Sequence, residues 1–164
     1  MVVTDAGPII HLDELQCLDI LADFDGIFIT QSVKREIQHH RPDAMTAFSG
    51  LFIERNPCTY SPLMQTLTPI YTLHQGEQEA LQLCLESGHA LLLTDDTAAR
   101  LAAKSLGIAA HGTLGLLIRA IRQQSRSKSD VLKLLRDIPV KTTLHIRPAL
   151  LADIVAQVES NPFV

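Results

Sequence analysis

The chain has 164 residues, of which 46% are hydrophobic and 20% are charged, a composition typical of one globular domain. Only 4% are aromatic and none is Trp, which argues against a sheet that stacks nucleic-acid bases on aromatic rings. The formal charge of −4 is divided unevenly. Residues 1–99 carry four Lys or Arg and fourteen Asp or Glu, whereas residues 100–164 carry ten and four, so the two regions are expected to face different partners.

The N-terminal residues and the cysteines predict a cytoplasmic protein. Residues 1–5 contain no base and include Asp5, unlike a signal peptide, and no apolar stretch approaches the roughly 20 residues of a membrane span. Cys17, Cys58 and Cys84 are odd in number and widely spaced. We therefore expect reduced thiols, with neither a disulfide framework nor a zinc site, and no association with a membrane.

Short aliphatic runs alternate with stretches of helical spacing along the chain. In the first half, the predicted elements are strands at residues 2–4 and 26–30, helices at residues 6–21, 32–39 and 42–49, and an irregular connection at residues 56–75 with one turn at Ser61-Pro62. In the second half, helices at residues 77–87, 98–106 and 113–122 alternate with strands at residues 90–94 and 108–110, and helices at residues 131–137 and 148–158 follow a polar linker.

The short links between these strands and helices indicate right-handed crossovers and a parallel sheet. Helices are then expected to cover both faces of the sheet, which makes the fold class α/β with a helical C-terminal extension. We expect the main domain to span residues 1–124, and the extension, residues 125–164, to pack on it.

Acidic residues follow two of the predicted strands directly. Asp5 ends the run Val-Val-Thr-Asp, and Asp95 and Asp96 end the run Leu-Leu-Leu-Thr-Asp-Asp. In open parallel sheets, ligands bind outside the carboxyl ends of the strands, so these carboxylates are candidates for a site. Each is equally well placed to cap the helix that follows. Thr94 is interpreted as an ordinary strand residue, with contact to a carboxylate or a phosphate as the alternatives.

Two further acids lie on predicted helices. Glu77 is in line with the apolar stripe that continues through residues 80, 81, 84 and 85, whereas Glu79 lies about 200° around the helix and is expected at the solvent or at the rim of a site. Glu36 shares a face with Val33 and Ile37. Four segments thus direct acids inward or to the same edge of the sheet. Clustered carboxylates repel one another unless a cation lies between them, and an oxygen-only set favours Mg²⁺ or Mn²⁺.

With these residues in order, the chain resembles the PIN-domain (PilT N-terminus) ribonucleases, and in particular a VapC-like branch. The matching segments are residues 3–12 (VTDAGPIIHL), 33–37 (VKREI), 76–81 (GEQEAL), 92–100 (LLTDDTAAR) and 112–117 (GTLGLL). Each segment is a weak signal by itself, but the ordered set spans nearly the whole chain. The resemblance implies a three-layer α/β/α sandwich and a metal-dependent endoribonuclease.

The resemblance also implies the site. Asp5, Glu36, Glu77 and Asp96 take the positions of the catalytic, metal-binding acids, with Asp95 as an additional ligand or a supporting group. Two choices stay open: alignment on the Ala-Leu that follows selects Glu79 in place of Glu77, and Asp95 competes with Asp96. The expected cofactor is Mg²⁺ or Mn²⁺ and the expected substrate is RNA. In toxin–antitoxin members a small antitoxin protein blocks the cleft, and a homodimer is expected.

Basic and hydroxyl residues near these acids are candidates for substrate binding. Arg100 is placed either to contact a phosphate or to pair with Asp96 one helical turn away. Thr113 is first a helix cap and second a hydroxyl of the site. Four bases, Arg119, Arg122, Arg126 and Lys128, form either a surface that follows the nucleic-acid backbone or an ordinary solvated helix end.

Two other functions compete with the nuclease. A receiver-like phosphoacceptor domain also gathers acids at strand ends, but it requires an acid pair after the first strand, where this chain has Asp5 alone, and a Lys after the last, where it has Ala109-Ala-His. The other alternative is a catalytically silent PIN-like domain that acts as a binding partner; the full set of acids argues against it.

Overall fold

A computed structural model describes residues 1–88 and 90–160 of the chain. The strands are β1 (Val2–Thr4), β2 (Ile27–Ile29), β3 (Phe52–Glu54), β4 (Leu91–Leu93) and β5 (Ala109–His111). The helices are α1 (Ala6–Glu14), α2 (Gln31–His40), α3 (Pro62–Tyr71), α4 (Gln75–Glu86), α5 (Thr97–Ser105), α6 (Thr113–Arg122), α7 (Lys128–Lys141) and α8 (Pro148–Ser160), with a 3₁₀ turn at Leu18–Leu21. Residues 161–164 of the predicted extension lie outside the described residues.

The five strands form one parallel sheet in the order β3-β2-β1-β4-β5. The central strand is β1, whose Val3 pairs with Phe28 of β2 on one side and with Leu92 of β4 on the other. The chain therefore builds outward from β1 to β3 and then returns to add β4 and β5 on the opposite side. A receiver-like fold has the order 2-1-3-4-5, so the receiver-like alternative is wrong.

Alternate residues of each strand face opposite layers of helices, as the period of a β-strand requires. Val3 and Leu92 pack in a core with α3, α4 and α5. Ile27, Ile29 and Leu93 pack on the other face with α1, α2 and α6. This arrangement confirms the three-layer α/β/α sandwich.

The two C-terminal helices belong to the second of these layers. Val131, Leu135 and Ile138 of α7 and Val158 of α8 are buried in the same cluster as the apolar side chains of α1 and α6. The predicted extension thus shares its core with the rest of the chain. The boundary at residues 124 and 125 stays a prediction.

The largest departures from the predicted elements lie between β2 and α4. Residues 42–51, expected to be helical in part, form successive turns, in which backbone hydrogen bonds such as Ala44 N–H to Arg41 and Leu51 N–H to Phe48 span only three residues. Strand β3 follows and pairs with β2 at the sheet edge. The ladder to β2, a long-range contact, determines the conformation of these residues more strongly than their local spacing does.

The connection expected to be irregular contains α3 instead. Ser61 caps this helix by accepting the Met64 N–H at 3.2 Å, and Pro62 occupies the first turn, where its missing N–H costs nothing. Pro69 lies inside the helix, and the helix ends at Thr72, whose φ is +54°. Met64 is fully buried and anchors α3 to the core, and this tertiary packing outweighs the breaking effect of the prolines.

The first helix is shorter than its apolar spacing predicts. α1 ends at Glu14, and Gln16 adopts a positive φ of 56°, which turns the chain before the 3₁₀ turn. Leu18 and Leu21 are nevertheless buried in the same core, because the 3₁₀ turn presents them to it.

Two of the three thiols are buried. Cys17, Cys58 and Cys84 are free, and burial raises the pKa of the Cys17 and Cys84 thiols to about 12. Neither thiol is a ready nucleophile. Among residues 1–88 and 90–160, no helix has the length and apolar character needed to cross a bilayer.

A core substitution tests this packing. Leu117 is 0% exposed, and Leu117→Ala is expected to lower the free energy of unfolding by about 2–5 kcal/mol, through lost burial and the cavity that remains. Urea denaturation followed by circular dichroism measures the change. Val140→Ala, at a side chain that is 82% exposed, is the control and should shift it by less than about 0.5 kcal/mol. Equal effects at the two positions would contradict the assignment of Leu117 to the core.

Candidate active site

A pocket of about 360 Å³ opens at the carboxyl ends of β1 and β4. These adjacent strands are followed by helices on opposite faces of the sheet, α1 on one and α5 on the other. A crevice is expected at such a reversal of strand order. The lining includes five carboxylates and three imidazoles: Asp5, Glu36, Glu77, Asp95, Asp96, His11, His74 and His145.

Asp5 and Asp96 are helix caps as well as pocket residues. Asp5 accepts the Gly7 N–H at 3.1 Å and begins α1, and Asp96 accepts the Ala99 N–H at 2.7 Å and begins α5. Both alternatives considered for these acids therefore hold at once. Each carboxylate is fixed at the rim of the pocket by the helix that it caps.

Asp5 is the most deeply buried of these acids. The Thr94 hydroxyl donates a hydrogen bond to its Oδ2, so Thr94 holds a carboxylate. Burial raises the pKa of Asp5 well above its ordinary value, and the charges of Asp95 and Glu77 raise it further, although the hydrogen bonds from Thr94 and Gly7 oppose them. Asp5 is thus a buried carboxyl group within the field of other carboxylates, where a cation would stabilise its charged form.

Glu77 and Glu36 reach the pocket from two helices that approach closely. Glu77 accepts the His74 N–H at 2.8 Å in a capping box at the start of α4, and burial and the charge of Asp96 raise its pKa while His74 opposes them. Glu36 is exposed on α2. A Cβ at Gly76 would lie 3.3 Å from Val33 and 3.6 Å from the Glu36 carboxylate, so this glycine permits the approach of α2 to α4.

Glu79 does not face the solvent or the rim of the pocket, and that expectation is wrong. It is only 9% exposed, and its Oε1 accepts hydrogen bonds from Ser32 of α2 and from Gln75. Its other oxygen is buried and has no partner within the described residues. Six consecutive residues of α4, 79–84, are buried, because the helix packs against α2, α3, α5 and the sheet. A single apolar stripe therefore does not show which faces of α4 are buried. Glu77, and not Glu79, lines the pocket with the other acids.

Asp95 binds protein groups on both of its oxygens. It accepts the Thr113 N–H at 2.7 Å, the Thr113 hydroxyl at 2.6 Å and a hydrogen bond with His11 Nδ1 at 2.8 Å. Thr113 is fully buried and belongs to the first turn of α6, whereas Gly112 is the residue before the helix. The prediction of Thr113 as the cap is wrong: Asp95 supplies the acceptor that Gly112 lacks. Thr113 thus positions Asp95, to which its hydroxyl donates, and its role in substrate binding stays a prediction.

Gly112 is required by this arrangement. A Cβ at this position would lie 2.5 Å from Asp95 Oδ1 and 3.1 Å from an Arg100 guanidinium nitrogen. Arg100 therefore lies beside the Asp95 carboxylate, and no ion pair forms between it and Asp96 among the described residues. Arg100 is exposed and lines a second, larger cavity next to the pocket.

The basic residues in the last turn of α6 and just after it mostly contact other groups of the protein. Arg119 pairs with Asp23 and stacks on Phe24, with its guanidinium carbon 4.3 Å from the ring centroid. Arg126 pairs with Asp19. Acids of the N-terminal region thus neutralise bases of the C-terminal region across the fold. Of the two interpretations of these residues, the structure favours a helix end, here with ion pairs, over a surface that follows a nucleic-acid backbone.

The donor set of the pocket suits a hard cation, although its members do not converge. Within residues 1–88 and 90–160, no three Asp, Glu, His or Cys side chains are close enough together to hold an ion. Hydrogen bonds from other protein groups hold Asp5 and Asp95 in place. Glu36, in contrast, is exposed and makes no hydrogen bond within the described residues. Carboxylates without a cation repel one another. The carboxylate oxygens of the pocket are nonetheless the type of ligand that Mg²⁺ and Mn²⁺ prefer.

Sequence patterns point only weakly to the histidines of the pocket. His11 lies one helical turn after Gly7, whose missing side chain leaves space beside Asp95, and that spacing was the available signal. His145 belongs to the segment between α7 and α8, which crosses the pocket and is held there by hydrogen bonds from Thr143 to Glu14. No local pattern links residues 14 and 143.

Substitution of Gly112 tests the packing of Asp95 against α6. Gly112→Ala forces the Asp95 carboxylate or α6 to move, and we expect the unfolding free energy to fall by about 1–3 kcal/mol, as in other overpacked sites. Urea denaturation measures this loss. The matched control is Gly50→Ala, because nothing lies within 4 Å of a Cβ at Gly50. A similar change in both variants would contradict the proposed close approach.

The raised pKa of Asp5 predicts a dependence of stability on pH. A carboxyl group with a higher pKa in the folded state binds its proton more strongly there, so its contribution to stability falls as pH rises from the ordinary value of 3.8 through the folded pKa. At pH 7 in EDTA, Asp5→Asn is therefore expected to have a Tm a few degrees above that of the native chain.

Thermal unfolding at pH 7, with EDTA and with millimolar Mn²⁺, measures this difference. Mn²⁺ is expected to stabilise the native chain more than the Asn variant, because a ligand that binds only the folded state adds to its stability. Asp43→Asn, at an exposed acid outside the pocket, is the control and should behave as the native chain does. A lower Tm for Asp5→Asn in EDTA would contradict a destabilising charge at this position.

Comparison with known families agrees with this architecture. A family model described as a PIN domain matches residues 1–160, nearly the entire chain. No curated protein matches the chain. PIN domains are in general nucleases, which places the chain among the hydrolases. From the extent of the match, the strand order and the pocket at its reversal, we conclude that the chain belongs to the PIN-domain family.

Proposed function

We propose that the chain is a Mg²⁺- or Mn²⁺-dependent endoribonuclease. One observation carries this proposal: acids from four separate segments, the ends of β1 and β4 and the helices α2 and α4, line a single pocket. Helix capping accounts for each of Asp5, Glu77 and Asp96 alone, but it does not account for their position, together with Glu36, in the lining of one pocket. Metal-dependent phosphodiester hydrolysis uses such a set of acids.

The acids divide into two roles. Asp5, Glu36, Glu77 and Asp96 would hold the cation, since each presents a carboxylate to the pocket. Asp95 is a positioning residue in this proposal, because its contacts with Thr113 and His11 join α6 and α1 below the pocket. This division favours Asp96 over Asp95 as the fourth acid of the site.

A bound cation supplies charge neutralisation at the phosphate and lowers the pKa of an attacking water. The chain contributes the geometry. The caps of α1 and α5 fix Asp5 and Asp96, and the Thr94 hydroxyl orients the Asp5 carboxylate. Arg100, beside Asp95 and exposed, is placed to contact a phosphate of the substrate.

The VapC-like resemblance supports a narrower proposal. The chain would act as the toxin of a toxin–antitoxin pair in the cytoplasm, with a small antitoxin protein as its inhibitor, and would form a homodimer. Growth of a host that expresses the native chain, compared with the Asp5→Asn variant, tests the toxin role. Growth arrest by both variants, or by neither, would contradict it.

Cleavage of RNA tests the nuclease. We expect the native chain to cut labelled RNA with Mg²⁺ or Mn²⁺ and to lose activity in EDTA. Asp5→Asn is expected to lower the rate by at least about 100-fold, since a ligand of the cation is lost. The control variant Asp43→Asn should keep the native rate. Equal rates for native and Asp5→Asn chains would contradict the proposal, and no cleavage of any RNA would favour a catalytically silent binding domain.

A further inference from the structure

A second cavity, of about 1070 Å³, adjoins the carboxylate pocket. The two share Asp95, Thr97, Leu144 and His145, so they form one continuous depression. The larger cavity lies along β5, the edge strand of the sheet. We refer to it as the β5 groove. One of its banks is formed by α5, and the other by residues 142–147 together with α8.

The charged residues of the β5 groove are almost all basic. Arg100 and Lys104 lie on the α5 bank, Arg147 lies on the opposite bank, and all three are exposed. His111 and His145 add two imidazoles to the lining. Its one acid, Asp95, already accepts hydrogen bonds from Thr113 and His11. The groove is therefore complementary to an extended anion.

These basic residues differ in their availability from those in the last turn of α6 and just after it. Arg119 and Arg126 are paired with acids, whereas no ion pair or hydrogen bond of the side chains of Arg100, Lys104 or Arg147 is present within the described residues. Each of these three can exchange its counterions for the oxygens of a phosphate. Exposed positive charge without an ion pair within the described residues thus lies beside the carboxylate pocket.

The groove walls between these Arg and Lys residues are aliphatic. Leu101 and Leu150 are 50% and 43% exposed, and Ile108, Ile146 and Ile154 complete the lining. Within the described part of the chain, no Trp, Tyr or Phe lines the groove. Aliphatic walls can contact the faces of unstacked bases but cannot read them, and stacked bases of a duplex would not reach such walls.

We propose that the β5 groove holds the single strand of nucleic acid that enters the carboxylate pocket, with Arg100, Lys104 and Arg147 as its positioning residues. This inference rests on the proposed nuclease function and names the form of its substrate. The phosphates lie against the bases of the two banks, and the nucleobases lie against the aliphatic walls. Contacts to phosphates carry no sequence information, so binding through these three residues is expected to tolerate changes of sequence.

The position of one bank depends on Glu14. Its carboxylate accepts the Thr143 N–H at 2.9 Å and the Thr143 hydroxyl at 3.2 Å, which ties residues 142–147 to α1. Leu144, His145, Ile146 and Arg147 follow immediately. Glu14 acts through Thr143, as a positioning residue, and has no contact with the strand.

Binding in EDTA, where cleavage is excluded, tests the proposal apart from the nuclease. Fluorescence anisotropy with a labelled 12-nucleotide single-stranded RNA, a DNA of the same sequence and the corresponding RNA duplex would give affinities for the native chain. We expect both single strands to bind more tightly than the duplex. Tighter binding of the duplex, or no binding of the single strands at 50 mM salt, would overturn the proposal.

Charge variants assign the binding to the groove. Arg100→Gln with Lys104→Gln should weaken binding of the single strand by about fivefold to tenfold and reduce the slope of its salt dependence by about 1.4, and Arg147→Gln should reduce the slope by about 0.7. Lys133→Gln, at an exposed base of α7 outside the groove, is the control and should change the affinity less than twofold. Equal losses in control and groove variants would overturn the assignment.

Two substitutions of Glu14 test its role in positioning residues 142–147. Glu14→Ala removes the acceptor for Thr143 and should weaken binding about threefold, whereas Glu14→Gln keeps an acceptor oxygen and should bind as the native chain does. Both variants remove the same charge, so a difference between them reports the position of the bank. Equal affinities would overturn this role of Glu14. Binding through the groove without cleavage in Mg²⁺ would contradict the nuclease and leave the groove standing.

Discussion

The pairing of β1 with β4 is the constraint on which the rest of the structure depends. It places Thr4 opposite Leu93, so that Asp5 and Asp95, ninety positions apart in the chain, emerge side by side. Because the helices after these strands leave on opposite faces, a crevice remains at the strand ends. α2 and α4 then need only approach this crevice to add Glu36 and Glu77, and Gly76 permits that approach. The same strand order sets this sheet apart from the receiver arrangement.

The carboxylates of the crevice have two opposite effects on the stability of the fold. Capping by Asp5, Glu77 and Asp96 stabilises α1, α4 and α5, while burial and mutual repulsion of the same groups raise the pKa values of Asp5 and Glu77. Hydrogen bonds to Thr94 and His74 offset part of this cost. A loss of stability of this kind is typical of active sites. The hydrogen bonds of Asp95 with Thr113 and His11 stabilise a further carboxylate of the five.

Local patterns predicted what depends on neighbours in the sequence and failed where distant contacts decide. Strands ending at Asp5 and Asp96, with caps after them, could be read from a few residues each, and the family resemblance supplied the order of the acids. Glu79 was misplaced because α4 is buried on most of its faces, which no single helical stripe describes. The turns at residues 42–51 follow from the pairing of β3 with β2. The partition of charge along the chain predicted two different surfaces, but Asp19 and Asp23 fold back onto Arg126 and Arg119 and cancel much of it.

The tie between Glu14 and Thr143 has a consequence for biosynthesis. Every acid of the crevice has been translated by residue 96, whereas the wall that shares the crevice with them begins at residue 142. At roughly 5–20 residues per second, a ribosome needs several seconds to add the intervening stretch. During that interval the acids of the crevice have been made, but residues 143–145, which complete its lining, have not. The order of synthesis therefore delays completion of the crevice until residue 145 has been added.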